Sequence, residues 1–344
     1  MKVAVVILNW NGKSFLEKFL PSVLSCNSAY SEIIVADNAS TDDSVSFLEK
    51  NYPGVKLIIN KENGGFAKGY NDALKSVEAE YYVLLNSDVE VTPGWIDSVI
   101  SLMDTDKNIA ACQPKIRAFD RKDHFEYAGA AGGFIDKYGY PFCRGRILDH
   151  LEMDKGQYDD VREIFWATGA CMFVRSDCYH RVKGFDDDFF AHMEEIDLCW
   201  RLKNLGYRIM YCPGSVIYHV GGGTLSKTSS RKTYLNFRNN LMLICKNHPK
   251  RYFILKLLWR MVLDGIAGIK FLVSGQFDHF TAVVKAHFSF YGVLGNVLSK
   301  RKELNKNIKE YTSTAVYLHS IIGDYYLRGN KTFSEIDRPE RFMK

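Results

Sequence analysis

The sequence lacks paired cysteine motifs. Its 344 residues include eight cysteines, but none forms a C-x-x-C pair, and most lie inside apolar stretches. Reduced, buried thiols in a cytoplasmic protein are the simplest interpretation of this usage. We therefore expect no disulfide framework, and we expect the protein to work inside the cell.

Long hydrophobic runs are also absent. The apolar run at residues 3–8 is too short for a signal peptide and predicts a first strand instead. The longest charge-free segment in the C-terminal third, residues 286–299, is well short of the ~20 residues that a membrane span requires. The sequence therefore predicts no transmembrane helix.

The glycine fingerprint of dinucleotide-binding proteins is missing as well. The turn after the first predicted strand has the sequence NWNG and contains no G-x-G-x-x-G. A nicotinamide-dependent oxidoreductase is the rival class that this absence argues against.

Charge is small overall but unevenly distributed. The formal net charge is +5, yet residues 225–344 carry 21 Lys and Arg against 8 Asp and Glu. The first 224 residues carry the opposite excess, 24 against 32. A basic C-terminal region favours an anionic partner, either a membrane surface or a diphosphate-linked acceptor. Nucleic acid is disfavoured, because no recognition motif accompanies the charge.

The first half of the chain has an alternating strand and helix pattern. Apolar strand-like segments at residues 2–8, 32–36, 55–59 and 81–85 are separated by segments with helical periodicity. Such a series predicts a parallel sheet with helices on both faces, hence an α/β fold.

Polar side chains follow three of these predicted strands. Asn9, Asp37 and Asp88 stand at or just beyond strand ends, where open α/β sheets bind their ligands. The pattern indicates a mononucleotide at this edge. An ionised Asp88 needs a partner that offsets its desolvation, such as a divalent metal carrying a diphosphate. The alternative is that Asp88 only caps a turn or helix.

A second polar cluster lies at the predicted start of a helix. Glu194 and Glu195 begin the helical pattern, whereas Asp197 can pair with Arg201 four residues later in a structural role. Two carboxylates at a helix start are harder to explain by stability alone, because each would have to be satisfied. They are therefore candidates for chemistry.

The remaining segments complete the predicted organisation. We expect a flexible loop or hairpin over residues 127–140, strands over 165–174 and 216–220, helices from residue 231 onward and another helix over 311–328. His219 ends one strand beside Gly221–Thr224, either as a phosphate or metal ligand or as an ordinary hydrogen-bonded histidine. The C-terminal helices could pack on the body, lie on a membrane surface or form a dimer face.

The motifs taken together resemble those of family 2 glycosyltransferases, in particular the bacterial rhamnosyltransferase-like members. In order, they are VVILNWNG (5–12), VADNASTDDS (35–44), KENGGFAKGYN (61–71), LLNSDVEV (84–91), ATGACMFVR (167–175), FFAHMEEIDLCWRL (189–202), YHVGGGT (218–224) and RNN (238–240). Each motif is a weak signal, but eight in the family's order are a strong one.

The resemblance implies an inverting enzyme with a GT-A fold, a Rossmann-like, mostly parallel sheet flanked by helices. Residues 1–224 would form the GT-A domain, with a nucleotide-binding half (1–118) and an acceptor half (119–224). Residues 225–344 would form a C-terminal helical region that contacts the membrane surface or a dimer partner.

The resemblance also implies roles for individual residues. The predicted nucleotide-binding residues are Asn9, Asp37, Asn38, Ser40, Asn63, Gly65, Phe66 and Ser87. Asp88 and His219 would bind Mg²⁺ or Mn²⁺, and Arg238 the diphosphate. Gly169, Glu194 and Trp166 would contact the acceptor. Glu195 would be the catalytic base, one methylene longer than the family's usual Asp, and Asn86 replaces the first Asp of the family's D-x-D motif.

The implied activity is transfer of a sugar from a nucleoside-diphosphate sugar, such as dTDP-rhamnose or a UDP-sugar. The acceptor would be a hydroxyl of a glycan or lipid-linked molecule in polysaccharide biosynthesis for the cell envelope. The enzyme would work in the cytoplasm, with the inner face of the cell membrane as one location. A catalytically silent scaffold that binds sugar nucleotides is the alternative.

Overall fold

The computed structural model describes residues 1–221, 229–249, 253–308, 311 and 314–343. Gly222, Gly223 and Thr224 of the predicted glycine stretch lie outside these residues. The strands are β1 (Val3–Asn9), β2 (Ser31–Asp37), β3 (Lys56–Ile59), β4 (Tyr81–Asn86), β5 (Val89–Val91), β6 (Ile109–Ala118), β7 (Gly133–Asp136), β8 (Pro141–Cys143), β9 (Arg146–Ile147), β10 (His150–Leu151), β11 (Arg162–Ile164), β12 (Cys171–Arg175), β13 (Arg208–His219) and β14 (Val316–Tyr317).

The described residues form the following α-helices, of which the longest lie in the C-terminal region. They are α1 (Lys13–Ser25), α2 (Ser44–Asn51), α3 (Gly65–Leu74), α4 (Trp95–Asp104), α5 (Ser176–Arg181), α6 (Glu194–Asn204), α7 (Ser230–Asn247), α8 (Phe253–Val273), α9 (Phe277–Leu304), α10 (Ile321–Leu327) and α11 (Phe333–Ile336). Short 3₁₀ helices cover Asp187–Phe189 and Pro339–Arg341.

The main sheet has the strand order β3-β2-β1-β4-β12-β6-β13-β11, and β5 pairs with β13. Strands β1 to β4 are mutually parallel, and β6 is parallel to β13, whereas β12 is antiparallel to both of its neighbours. The predicted α/β class and C-terminal helical region are confirmed, and the sheet is mixed, because β5, β11 and β12 pair in antiparallel fashion.

The apolar run of β1 is buried on both faces of this sheet. Val3, Val5 and Ile7 belong to the core on the side of α1 and α4, whereas Ala4 and Val6 belong to the core on the side of α3. Successive side chains of a strand point to opposite faces, so a strand covered on both sides needs a continuous apolar sequence.

A second, smaller sheet has the order β10-β9-β8-β7-β14. β7 and β8 form a hairpin, one of the two alternatives expected over residues 127–140, but β8 begins only at Pro141, beyond the predicted range. β14 comes from the C-terminal region and pairs in parallel with β7. A bidentate ion pair, with both N–O distances 2.6 Å, joins Arg162 to Asp337 beside it. The C-terminal region therefore contributes to the core around the small sheet.

Two sequence predictions were wrong in extent. The strand expected over residues 165–174 begins only at Cys171, because Trp166 instead bridges to Gly133 and its indole N–H donates to the Phe134 carbonyl (2.9 Å). The helix expected over residues 311–328 begins only at Ile321. Tyr317 is drawn into β14, where its ring is fully buried against Phe142.

The C-terminal helices were predicted correctly in kind. α7 packs against α6, α8 and α9. No helix in the described ranges has the length and apolar character needed to traverse a bilayer. The predicted division at residue 224 lies among residues outside the described ones, and the two-part organisation stays a proposal.

The aromatic cluster beside β14 gives the first prediction. Phe333 is fully buried, with ring centroids 5.0 Å from Phe134 and 5.7 Å from Phe342. Phe333→Ala should lower the free energy of unfolding by about 3–5 kcal/mol, because a cavity replaces the ring. Chemical denaturation measures this loss. The matched control is Phe277→Ala on an exposed side chain, which should change it by less than about 0.5 kcal/mol. Equal effects would contradict a packing role for the cluster.

Candidate active site

The carboxyl ends of the central parallel strands meet at one edge of the sheet. The strand register pairs Asn9 of β1 with Asp37 of β2, and Leu8 with Asn86 of β4. Asp88 follows two residues after the end of β4. The structure therefore brings the three predicted strand-end positions, Asn9, Asp37 and Asp88, to the same edge.

The loop after β2 is organised by Asp37. This carboxylate is fully buried and accepts hydrogen bonds from Asn9 Nδ2 (3.0 Å) and from the Ser40 hydroxyl (2.6 Å) and backbone N–H (2.8 Å). These donors replace the water that a buried carboxylate loses. Three of the predicted nucleotide residues thus form one hydrogen-bonded unit.

Asn9 also presents an unused acceptor at this position. Its Oδ1 is buried without a hydrogen-bond partner among the described residues. A Cβ at Gly12 would lie 2.4 Å from that oxygen and 3.3 Å from Ser87 Oγ, so Gly12, Asn9 and Ser87 are immediate neighbours. The edge therefore offers a buried carbonyl oxygen and a hydroxyl next to the Asp37 loop.

Asn38 and Asn63 fix the turn that leads into α3. Asn38 Nδ2 donates to Asn63 Oδ1 and to the Gly65 carbonyl, each at 3.0 Å. Asn63 Oδ1 also accepts from the Gly65 N–H at 2.9 Å. These predicted nucleotide residues therefore shape the beginning of a helix, whose N–H groups and dipole favour a negatively charged ligand.

Gly65 permits a close approach between the start of α3 and the loop before α6. Its φ is +81°, and a Cβ there would lie 2.5 Å from the carbonyl oxygen of Phe190. The same carbonyl accepts the Phe66 N–H at 2.7 Å. The loop before α6 is thereby joined directly to the first turn of α3, and only glycine fits this approach.

Asp88 and His219 form an ion pair at the end of β5 and β13. His219 Nε2 lies 3.2 Å from Asp88 Oδ1 and 3.5 Å from Asn86 Nδ2. On the other side of the ring, His219 Nδ1 lies 3.4 Å from Glu126 Oε2. Asp88, His219 and Glu126 are all buried. The two predicted metal ligands are thus adjacent, with Glu126 behind the histidine.

The electrostatics of this group follow from mutual pairing. Burial alone would lower the pKa of His219, but the charges of Asp88 and Glu126 outweigh burial and raise the pKa of His219 to about 10. Burial likewise opposes ionisation of the two carboxyls, yet the imidazolium brings the pKa of Asp88 and of Glu126 below their ordinary values. The described residues contain no group of three or more His, Cys, Asp or Glu side chains that could hold a metal ion by themselves.

Glu194 and Glu195 occupy the first two positions of α6, as predicted from the sequence. One carboxylate oxygen of each, Oε2, is buried without a hydrogen-bond partner among the described residues. Burial raises the pKa of Glu195 to about 7, and burial together with the charge of Glu195 raises the pKa of Glu194 well above its ordinary value. Asp197 differs, because it pairs with Arg201 (2.7 Å) as predicted and also with Lys246 (2.9 Å).

Residues 167–170 lie between the two polar clusters. The Ala170 carbonyl accepts the Asn86 N–H at 3.0 Å, which ties this segment to the strand before Asp88. The Ala167 N–H contacts Cys199 Sγ at 3.4 Å, one helical turn after Glu195. Residues 167–170 therefore contact both the strand end two positions before Asp88 and α6 one turn after Glu195.

Gly169 and Trp166 flank this segment differently. A Cβ at Gly169 would lie 3.0 Å from the ring of Phe66, so the predicted acceptor glycine and nucleotide-side phenylalanine are in contact. Trp166 instead packs into the core, and its indole N–H is occupied by the Phe134 carbonyl. An acceptor contact of Trp166 could therefore involve only its ring.

The loop before α6 is held by α7. Asn239 Nδ2 donates to the carbonyls of Phe189 (2.9 Å), Ala191 (2.9 Å) and His192 (2.7 Å). Arg238 Nη2 donates to the carbonyls of Asp188 (2.8 Å) and Phe189 (3.2 Å). The structure thus places Arg238, predicted as a diphosphate ligand, at this loop, and its diphosphate role stays a prediction.

Sequence reasoning missed three functional positions. Glu126 lacks a local signal, because its approach to His219 depends on the packing of a segment nearly a hundred residues earlier. Phe190 contributes a backbone carbonyl, which side-chain patterns do not reveal. Asn239 belongs to the RNN motif, and its position beside Arg238 was the available signal.

The chain matches a known protein family and several curated relatives. Residues 4–177 match the family model described as Glycosyl transferase family 2. An N-acetylglucosaminyl-diphospho-decaprenol L-rhamnosyltransferase of Mycobacterium tuberculosis is 27% identical over 233 residues, 62% of this chain and 75% of the relative. Rhamnosyltransferase WbbL of Escherichia coli is 24% identical over 228 residues, 63% of this chain and 83% of the relative.

Solved structures share the fold. A mannosyltransferase from Pyrobaculum calidifontis, in complex with GDP-Man and Mn²⁺, aligns with a TM-score of 0.52 at 15% identity, covering 90% of this chain and 88% of that one. GalNAc-T7 with UDP, GalNAc and Mn²⁺ aligns with a TM-score of 0.55 at 16% identity. This alignment covers 74% of the chain but 49% of GalNAc-T7. The expected GT-A fold is thereby confirmed.

The contacts of Asn239 give a prediction about the loop before α6. Asn239→Ala should leave the carbonyls of Ala191 and His192 without their side-chain donor, at about 1–3 kcal/mol for each group, whereas the Phe189 carbonyl keeps its bond from Arg238. The amides of residues 190–193 should then exchange with deuterium faster, as measured by hydrogen-exchange mass spectrometry. Asn240→Ala is the matched control, because Asn240 Nδ2 donates to the Gly139 carbonyl instead (3.0 Å). Unchanged exchange at 190–193 in Asn239→Ala would contradict the clamp.

Proposed function

Because the chain belongs to glycosyltransferase family 2, we propose that it transfers a deoxyhexose such as rhamnose to a hydroxyl of a lipid-linked glycan, with inversion at the anomeric carbon. The donor would be dTDP-rhamnose or a UDP-sugar. The rhamnosyltransferase relatives support this sugar, and the diphospho-decaprenol in one relative's name supports a lipid-linked acceptor. The enzyme would act at the cytoplasmic face of the membrane.

One observation carries the proposal. Buried Glu194 and half-buried Glu195 each have a carboxylate oxygen without a partner among the described residues. Residues 167–170 contact both the helix that these glutamates begin and the strand end that precedes the ion-paired Asp88. Groups whose pKa values are displaced in opposite directions within one site are suited to different chemical roles. Glu195 can hold a proton near neutral pH, whereas Asp88 stays ionised.

The carboxyl edge supplies the donor side. Asn9 Oδ1 is a buried acceptor without a partner in the described chain, placed where an N–H of a pyrimidine base could reach it. Asp37, Ser40 and Asn38 would position the loop around base and ribose. The N–H groups in the first turn of α3 are already bound, that of Gly65 by Asn63 Oδ1 and those of Phe66 and Ala67 by the Phe190 carbonyl. The start of α3 would therefore favour a diphosphate through the helix dipole.

The donor set at Asp88 fits a divalent cation. A carboxylate oxygen and an imidazole nitrogen lie 3.2 Å apart. A mixed oxygen and nitrogen set suits Mn²⁺ better than Mg²⁺, which prefers oxygen. Asp88 and His219 would hold the ion once His219 has given up its Nε2 proton, because the imidazolium that pairs with Asp88 has no free nitrogen. The diphosphate would supply further ligands. Once bound, the ion would neutralise charge on the departing diphosphate.

The acceptor side would perform one displacement. Glu195 accepts the proton of the acceptor hydroxyl, and that oxygen forms a bond to the anomeric carbon. The bond from this carbon to the diphosphate oxygen breaks on the opposite face, so the configuration inverts and the nucleoside diphosphate leaves. Burial gives Glu195 a pKa of about 7, which suits a base that works near neutral pH. Burial and the charge of Glu195 raise the pKa of the neighbouring Glu194 well above its ordinary value, which favours the protonated form of Glu194.

The role of Glu195 predicts both a mutant effect and a pH profile. A base must be deprotonated, so kcat/KM should rise with pH through about 7, the pKa that burial gives Glu195. Glu195→Gln should lower kcat by about 100-fold or more. Transfer is measured by release of nucleoside diphosphate and by mass of the product.

Glu195→Asp is the matched control, since the family usually has Asp at this position, and it should recover part of the activity. Donor binding by Glu195→Gln, followed by thermal shift, should remain near wild type. A folded Glu195→Gln with wild-type kcat would remove the base role. A wild-type chain that binds donors but transfers no sugar to any lipid-linked acceptor would favour the silent scaffold.

The role of Asp88 predicts metal-dependent donor binding. Wild type should show a thermal shift with UDP- or dTDP-sugars that is larger with Mn²⁺ than with a chelator, because ligand binding stabilises the folded state. Asp88→Asn should abolish the Mn²⁺ increment. Asp97→Asn, at a carboxylate on the surface of α4, is the control and should retain it. An Mn²⁺ increment that survives in Asp88→Asn would place the cation elsewhere.

A further inference from the structure

Helix α8 buries charged side chains and exposes apolar ones, the opposite of an ordinary surface helix. Its buried residues include the charged pair Arg260 and Asp264, whose Nε–Oδ1 distance is 2.6 Å. Arg260 Nη1 also donates to Asn240 Oδ1 of α7. The polar side of α8 is therefore fixed against the protein body.

The opposite side of α8 is apolar and exposed. The exposed large hydrophobic residues, with between 39% and 83% of their surface accessible, are Ile254, Leu255, Leu258, Trp259, Val262, Ile266, Ile269, Leu272 and Val273. At 3.6 residues per turn they cover an arc of about 140° along the whole helix. A contiguous exposed apolar face of this kind marks an interaction surface.

Neighbouring elements extend this face. On α9, Val284, Phe288 and Tyr291 are exposed, and the Tyr291 hydroxyl lies 3.9 Å from Met261 Sδ of α8. Near the end of α8, Lys270 Nζ lies 3.5 Å from the Tyr326 hydroxyl, and the adjacent Leu327 is 87% exposed. We call these residues together with the apolar side of α8 the α8 face.

The charges at the α8 face are basic. Over residues 253–273, all of which the structure describes, the single acidic residue is Asp264, and it is buried. Lys270 flanks the apolar arc, and Lys285 lies between Val284 and Phe288; both lysines are exposed. Asp278, at the beginning of α9, is the acidic residue nearby.

We propose that the α8 face docks on the surface of an anionic lipid bilayer, with α8 lying in the plane of the membrane. A helix that cannot traverse a bilayer but exposes an apolar face beside lysines has the features of an interfacial helix. The lysines would reach the lipid headgroups while the apolar residues enter the acyl boundary.

A second copy of the chain fits this face less well. A two-fold interface sets the same patch against itself, so the flanking lysines of one copy would approach those of the other. A bilayer containing phosphatidylglycerol instead supplies opposite charge over the full face. Docking here would also bring α7, whose Asn239 holds the loop before α6, close to the membrane in which a lipid-linked acceptor resides.

The test uses the full chain and vesicles without donor or acceptor, so it does not depend on the proposed transfer reaction. Wild type should co-sediment with vesicles of phosphatidylcholine and phosphatidylglycerol at least about tenfold better than with phosphatidylcholine alone. Trp259 fluorescence should shift to shorter wavelength on binding, and Trp259→Phe should remove that change.

Matched variants distinguish an effect at the α8 face from a general effect of the added charge. Leu258→Glu should weaken vesicle binding by about tenfold or more, whereas Val161→Glu, at a similarly exposed position, should not. The double variant of Lys270→Glu and Lys285→Glu should weaken binding, and Lys107→Glu should not. All five positions are exposed, so these variants should fold, as thermal unfolding would verify.

Three outcomes would overturn the proposal. They are equal binding of wild type to neutral and anionic vesicles, vesicle binding by Leu258→Glu at the wild-type level, and a stable dimer in light scattering that Leu258→Glu dissociates. The last outcome would assign the α8 face to a second copy of the chain.

Discussion

The geometry of the candidate active site depends on a backbone loop that is held against its own conformational preference. Phe190, His192 and Met193 all have positive φ values, which side chains other than glycine rarely adopt. The Asn239 carboxamide offsets this by donating to three carbonyls of the loop, and the Phe190 carbonyl binds the first turn of α3. Helices α3 and α7 together therefore position the start of α6, which carries Glu195.

The acidic residues of the site lie in two opposite electrostatic environments. Asp88 and Glu126 share His219 between them, so their burial is matched by a positive charge. Glu194 and Glu195 have one another as neighbours, and part of each carboxylate is left without a donor in the described structure. The first arrangement keeps negative charge in place and suits a cation, whereas the second favours uptake of a proton. This difference arises from packing around the residues, since all four are ordinary carboxylates in the sequence.

Much of this organisation could be predicted from local sequence patterns. Parallel strands bring their ends to one edge, so apolar runs followed by Asn9, Asp37 and Asp88 were sufficient to predict that these residues meet there. Pairing over a long range was not predictable in the same way. Glu126 reaches His219 only because the segment after β6 packs beside the end of β13, and β14 forms only because Tyr317 finds an aromatic pocket built from distant residues. The helical pattern over residues 311–328 was overridden by that tertiary contact. The functional roles of the individual site residues remain proposals.

The pairing of β14 with β7 has a consequence for how the protein forms during synthesis. Arg162 meets Asp337, its partner 175 positions later, and the Phe134 ring is covered by Phe333 and Phe342. While the ribosome is still translating α8 and α9, the small sheet therefore lacks an edge strand and half of its aromatic cover. Contacts so distant in sequence form slowly and leave apolar surface exposed in the meantime. Chaperones would therefore bind the nascent small sheet until residues 316–342 have emerged.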